Sequence, residues 1–202
     1  TFVAVAEASG LGAVLDALVL EMACSDVEAA GLDVDIHVNI GAARLGNPGF
    51  EHVVRQTLAQ HRIPPSRLVM EITETVPIVD LPKAAAQIAR LNAHGVKVAL
   101  DDFGAGYNSL TYLHALPVQI VKLDRSLVIG SEPARDLSLY RSVIGLCKAL
   151  GLVVIAEGIE TDAQADTVYS AGCRLAQGHL FGRPVAIGEL SRMAHTEPVG
   201  DA

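Results

Sequence analysis

A chain of 202 residues with 50% hydrophobic content is long enough to bury one sizeable core. Its formal net charge of −8 argues against non-specific binding to nucleic acid or to an anionic membrane surface. A small anionic ligand stays open, because bound cations can reverse the local sign. The longest apolar runs, such as Leu152 to Ala156, are strand-sized and too short to insert into a bilayer. Cys24, Cys147 and Cys173 are odd in number and widely separated, and they read as buried thiols of a reducing cytoplasm. No secretory signal, linker or composition break is visible, and Thr1 stands where an initiator Met would be. We therefore expect residues 1–202 to form one domain cut from a longer protein, cytoplasmic even where that protein is membrane-anchored.

From Gly10 to Ala30, Leu11, Val14, Leu15, Leu18, Val19 and Met22 recur at helical spacing and predict an amphipathic helix ending near Gly31. Asp35–Ile40 alternates as a strand through Asn39, and a helix follows over Pro48–His61. Arg67–Thr73 predicts a strand leading into Glu71, Leu81–His94 a helix closed by Gly95, and Val96–Asp101 the third strand. After a glycine-rich turn, Ser109–Leu116 predicts a short helix stopped at Pro117, and Val118–Asp124 a strand carrying Lys122. Pro133–Leu150 predicts a long helix, Leu152–Glu157 a strand, and Thr161–Ala171 a helix. A short sixth strand is expected over Cys173–Gln177 and a last helix over Ile187–Ala194.

Such alternation of strand and helix is the pattern of a mainly parallel α/β sheet. Each strand carries a polar residue at or just past its C-terminal end: Asn39, Glu71, Asp101 with Asp102, Lys122, Glu157 and Gln177. In a parallel (β/α)8 barrel those ends converge on one mouth, where such enzymes place their chemistry. An open doubly wound sheet gathers ligands at a crevice and needs no polar residue on every strand. The pattern favours the barrel, with about six βα units visible and one or two strands expected upstream of Thr1.

Val98-Ala99-Leu100 runs straight into Asp101 and Asp102 and then into Gly104-Ala105-Gly106. Adjacent carboxylates at a strand end read either as a solvated turn with a helix cap or as a cation site. Glu71, Asp101, Asp102 and Glu157 supply hard oxygen ligands and Asn39 an amide oxygen, a set suited to Mg²⁺ or Mn²⁺ rather than zinc. Two such ions about 3.5–4 Å apart clamp a phosphodiester and activate water for in-line attack. Lys122 reads as a structural counter-charge, or as the group that orients the water and offsets transition-state charge. The seven histidines show no metal-binding spacing and are expected on the surface or in the core. The turn at Gly104 lacks the third glycine of a dinucleotide fingerprint, Ser109 standing in its place, and Gly10-Leu11-Gly12 follows no strand.

Taken together, Val38-Asn39-Ile40, Glu71-Ile72-Thr73-Glu74, Asp101-Asp102-Phe103-Gly104-x-Gly106-Tyr107, Val121-Lys122-Leu123-Asp124-Arg125, Ala156-Glu157-Gly158-Ile159-Glu160-Thr161 and Gln177-Gly178 follow the order and spacing of the EAL-domain family. The chain resembles most of such a domain, from its first helix onward. The resemblance implies a modified (β/α)8 barrel that linearises cyclic di-GMP to pGpG with two Mg²⁺ or Mn²⁺ ions. It further implies a homodimer and an accompanying GGDEF or sensory domain. By the same resemblance Asn39, Glu71 and Asp101 bind one metal, and Asp101, Asp102 and Glu157 the second. Lys122 holds the attacking water, and Glu157 is the alternative general base. Glu74 matches the glutamate that steadies the loop after the Asp-Asp pair. Gln177, Glu160, Phe181 and Pro184 match positions on the guanine or ribose side of the substrate.

The chain departs from the family at Gly41-Ala42-Ala43-Arg44, Ala105 and Asn108, and the Glu-Ala-Leu motif would lie upstream of residue 1. Two other readings compete with the enzyme. One is a non-catalytic cyclic di-GMP receptor, which usually loses metal ligands. The other is a fragment whose unclosed sheet exposes an apolar edge.

Overall fold

In the computed structural model, which describes residues 2–73, 77–105, 109–127 and 133–195, six parallel strands stand side by side in chain order. They are β1 (Ile36–Asn39), β2 (Leu68–Thr73), β3 (Lys97–Phe103), β4 (Ile120–Leu123), β5 (Val153–Ala156) and β6 (Leu175–Ala176). The helices are α1 (Phe2–Ala8), α2 (Gly12–Ala30), α3 (Pro48–Gln60), α4 (Leu81–Ala93), α5 (Ser109–Ala115), α6 (Pro133–Ala149), α7 (Asp162–Ser170) and α8 (Ile187–His195). Only α1 was not foreseen from the sequence.

Strand order decides between the two candidate architectures. A doubly wound sheet reverses its order at a switch point. Here every strand adds beside its predecessor, β1 to β6, always parallel. Right-handed crossovers in one unbroken direction put the helices on one face and curl the sheet around the other, as in a (β/α) barrel. The described residues give six strands of the curled sheet, where a closed barrel has eight.

The strands show two separate apolar faces. Met70, Ile72, Val98, Leu100, Val121, Leu123 and Val154 point outward and join the helices in the main core. Val69, Ala99 and Ile120, with Ile155 beside them, form a second small layer on the concave face. Residues one step further along the strands on that concave face are Glu71, Asp101, Lys122 and Glu157. The apolar layer is thus the floor on which the polar mouth rests.

Helix ends follow local chemistry. Asn47 caps α3, its side chain accepting from the Gly49 amide at 3.0 Å, with Pro48 opening the helix. Thr161 and Gln164 close a capping box at α7.

One expectation about packing is overturned. Leu11, Val14, Leu18, Val19 and Met22 are exposed, and α2 instead buries Leu20, Cys24 and Val27. The helix is rich in apolar residues all round, so the periodicity offers two nearly equal faces. Polar ties select one: His61 bridges Glu21 and Glu28, and Asp16 receives Arg44 and the Gly41 amide. Cys24, Cys147 and Cys173 are free and buried. Among the described residues no helix is long and apolar enough to cross a membrane.

Candidate active site

The site begins with a break in strand periodicity. Neighbouring residues on a regular strand point to opposite faces, so Asp101 and Asp102 should be on opposite sides of the sheet. Along β3 and β4, Leu100 pairs with Val121 and Phe103 with Leu123. Two residues, Asp101 and Asp102, therefore oppose Lys122 alone, which is a β-bulge. Asp102 absorbs the extra residue in left-handed backbone at φ 54°, an uncommon conformation for a residue other than glycine. The bulge keeps Phe103 in the core while both carboxylates face the mouth.

Lys122 is the centre of the cluster. It is 3% exposed, and its ammonium is 2.9 Å from Glu71 Oε2, 3.0 Å from Asp101 Oδ1 and 2.7 Å from Glu157 Oε1. Burial opposes its charge, but hydrogen bonds to Glu157 and Glu71 and the charge of Asp101 outweigh this and raise its pKa. Burial also works against the Glu71 carboxylate, yet hydrogen bonds from His37 and Lys122 hold its pKa below the usual range. Glu157 goes the other way. Burial, reinforced by the Asp101 charge and only partly offset by Lys122, pushes it up to about 7. Asp102 is raised by burial and then by the charges of Asp101 and Asp124, and the Thr73 hydroxyl donates to it at 3.4 Å.

The donor set fits a divalent cation. Three carboxylates, Glu71, Asp101 and Glu157, share the buried Lys122 ammonium, and Asp102 adds a fourth acidic group beside Asp101 and Glu157. Asp101 Oδ1 is buried and ion-paired to Lys122 but has no hydrogen bond. Asp101, Asp102 and Glu157 each place a carboxylate oxygen within 4.8 Å of the others. An all-oxygen group with surplus negative charge, in which the buried Asp101 Oδ1 is neutralised by an ion pair to Lys122 alone, suits a hard ion.

The remaining sequence candidates fall at graded distances from this centre. Asn39 ends β1 directly beside Glu71, its register partner on β2. Gln177 donates its side-chain amide to Glu157 Oε1. The backbone after it is pinned where Gly178 meets Ile159, an approach so close that a Cβ would collide with the Ile159 backbone. Glu160 pairs with Arg125 at 3.3 Å and is exposed. Phe181 is 59% exposed beside Tyr169, Arg174 and Leu175 in a groove of about 420 Å³, so it is not a core residue; Pro184 is exposed as well. Glu74 lies outside the described residues.

Two site residues were not foreseen. Thr73 touches Asp102, and His37 donates from Nδ1 to Glu71 Oε1 at 2.7 Å. His37 is exposed, as expected of the histidines, but it also hydrogen-bonds a site carboxylate, which the sequence reading did not foresee. Its spacing two residues before Asn39 on a strand, which puts both on one face, was the available signal.

A curled, singly wound parallel sheet with carboxylates gathered at its C-terminal mouth defines an α/β barrel protein whose acidic cluster could hold a cation. The chain belongs to the EAL domain family: the family model for the EAL domain matches residues 1–184. It is 34% identical over 194 residues to the bifunctional diguanylate cyclase/cyclic di-GMP phosphodiesterase MucR of Pseudomonas aeruginosa, covering 94% of this chain and 28% of MucR. A solved structure of the PaMucR phosphodiesterase in a c-di-GMP complex superposes with a TM-score of 0.85 at 34% identity, over 94% of this chain and 84% of that one. The EAL domain of Mycobacterium smegmatis DcpA gives a TM-score of 0.80 at 35% identity, over 86% and 81% of the two chains. The chain spans about a quarter to a third of the length of the curated relatives it matches.

Proposed function

We propose that this domain is a phosphodiesterase that hydrolyses cyclic di-GMP to linear pGpG, supported by two Mg²⁺ or Mn²⁺ ions. The observation that carries the reading is the acidic ring around Lys122, with Asp101 Oδ1 buried and lacking a hydrogen bond. The relatives named for cyclic di-GMP hydrolysis support the substrate. In this reading Asn39, Glu71 and Asp101 hold one ion, and Asp101, Asp102 and Glu157 the other. Such ions, when bound, polarise the scissile phosphate and lower the pKa of water.

The chain's own residues do the rest. Lys122 holds the attacking water and offsets charge on the phosphorane-like transition state. Glu157, with its pKa near 7, is suited to accept the proton at neutral pH. Gln177 keeps the Glu157 carboxylate turned toward the mouth. Glu160, Phe181 and Pro184 edge the region where the guanine and ribose would rest, and Glu74 would steady the loop after Asp102.

We further infer a homodimer, in a longer cytoplasmic or membrane-anchored protein with a GGDEF or sensory domain. The exposed apolar residues Leu139 and Leu146 on α6 and Leu150 just past its end, with Leu110 beside them on α5, support pairing of two copies. Light scattering after gel filtration is expected to report twice the monomer mass.

The function is tested by chromatography of cyclic di-GMP incubated with the protein and Mn²⁺. Linear pGpG is the expected product, with loss of at least about 100-fold in Asp101→Asn and Glu71→Gln. Binding of cyclic di-GMP with no hydrolysis in any divalent cation would replace the enzyme by a receptor.

A further inference from the structure

His37 lies in the site without a role in the scheme above. Strand alternation puts His37 and Asn39 on the concave face of β1, while Ile36 and Val38 go to the core. Pairing of β1 with β2 sets His37 beside Val69 and Asn39 beside Glu71. From there the imidazole reaches forward to Glu71, Nδ1 to Oε1 at 2.7 Å. A carboxylate only accepts, so Nδ1 carries the hydrogen.

The other oxygen of Glu71 is held from the opposite direction. Lys122, on β4, is 2.9 Å from Oε2. The Glu71 side chain is 6% exposed, and Val69 below it is fully buried, so the carboxylate cannot relax toward solvent or drop into the floor. Two donors, His37 on β1 and Lys122 on β4, therefore fix the carboxylate plane, with Oε1 held by His37 and Oε2 by Lys122. An outer partner of this kind sets which atom a ligand can offer.

We propose that His37 is a positioning residue that clamps Glu71 Oε1 and makes Glu71 a one-oxygen ligand, biasing the site toward small divalent cations and against Ca²⁺. The inference rests on the reading of Glu71 as a metal ligand and deepens it. Ca²⁺ takes six to eight oxygens and readily accepts a bidentate carboxylate, whereas Mg²⁺ requires tight octahedral geometry. A carboxylate with one oxygen already taken serves the second ion better than the first. Without the imidazole, Oε1 loses its donor and becomes available for a second coordination bond, while Lys122 still holds Oε2.

The test is calorimetric titration of the full-length protein with Mn²⁺ and, separately, Ca²⁺, in wild type, His37→Leu and His37→Asn. Leucine removes the donor. Asparagine places an amide N–H near the position of Nδ1. In His37→Leu, Mn²⁺ affinity is expected to fall about 10- to 100-fold while Ca²⁺ affinity changes less than about threefold, so the Mn²⁺/Ca²⁺ preference collapses. His37→Asn is expected to recover Mn²⁺ affinity to within about threefold of wild type. Equal losses for both ions would indicate a general structural role and overturn the proposal, as would unchanged Mn²⁺ affinity in His37→Leu. Wild-type protein that binds neither ion would overturn the metal reading and this inference together. Protein that binds Mn²⁺ with the expected His37 dependence but leaves cyclic di-GMP intact would sink only the phosphodiesterase reading.

Discussion

Replacing Lys122 with methionine keeps the stem length and removes the only ammonium among the described residues of the acidic cluster. At an effective dielectric of 20, each ion pair near 2.9 Å is worth roughly 6 kcal/mol before desolvation. Lys122 makes three such contacts, to Glu71, Asp101 and Glu157. Much of that attraction only offsets the cost of burying the ammonium, and breaking a buried network typically costs about 3–5 kcal/mol net. For a domain of this size that corresponds to a fall in Tm of about 6–20 °C. The pH dependence separates charge from packing. Without the ammonium, Glu71 and Glu157 stay desolvated beside the Asp101 charge with no cation to offset it, so their folded-state pKa values rise above the unfolded ones. A raised carboxylate pKa stabilises fully below the unfolded value and loses that benefit as pH climbs through the folded value. The deficit of Lys122→Met is therefore expected to be small near pH 4.5 and large at pH 8. Thermal melts by circular dichroism in chelator, at both pH values, measure it. A deficit of equal size at both would refute the electrostatic argument and assign the loss to packing.

Three further outcomes are expected. Burial, with help from Asp101, raises Glu157 to about 7, above an unfolded value near 4.3, so its stabilisation is complete below about pH 4.3 and lost through pH 7. Urea titrations in chelator are expected to show wild type losing on the order of 3 kcal/mol over that window and Glu157→Gln not losing it; parallel profiles would contradict the raised pKa. Asp102→Gly is expected to fold within about 1 kcal/mol of wild type, because glycine accepts the positive φ, while divalent-cation affinity by calorimetry falls at least about tenfold. His61 is raised above its ordinary value by hydrogen bonds to Glu21 and Glu28, so it stabilises fully below about pH 6.5 and the benefit fades as pH rises through the folded value. The two glutamates are partly exposed, which limits the effect: His61→Gln is expected to cost about 1 kcal/mol at pH 6 and less at pH 9 in urea titrations.

Much of the fold and part of the candidate site were legible because both depend on short-range periodicity. The alternation of Ile36 to Asn39, the apolar run Leu68-Val69-Met70 and the stop at Gly95 located strands and helices to within a few residues. Polar residues at successive strand ends could be aligned on one mouth without knowing any distance. The helix faces were less legible. In α2 apolar residues fill both sides, and the choice falls to partners remote in sequence, Glu21 and Glu28 with His61 and Asp16 with Arg44. No local pattern contains that information.

His37 and Asp102 were hidden for opposite reasons. His37 obeys strand alternation, and what concealed it was chemical type: a histidine without a second ligand nearby in sequence looks like a surface residue. Its partner, Glu71, comes 34 residues later. Asp102 violates alternation, and only the register of β3 against β4 reveals how. Leu100 and Phe103 are three residues apart, while Val121 and Leu123 are two apart, so one residue of β3 has no counterpart. Two adjacent aspartates can face one cation only where a strand breaks its period in this way. The left-handed backbone at Asp102 is thus what it costs to bring both carboxylates to the same side, and a regular strand through Leu100-Asp101-Asp102-Phe103 would bury one carboxylate among the helices.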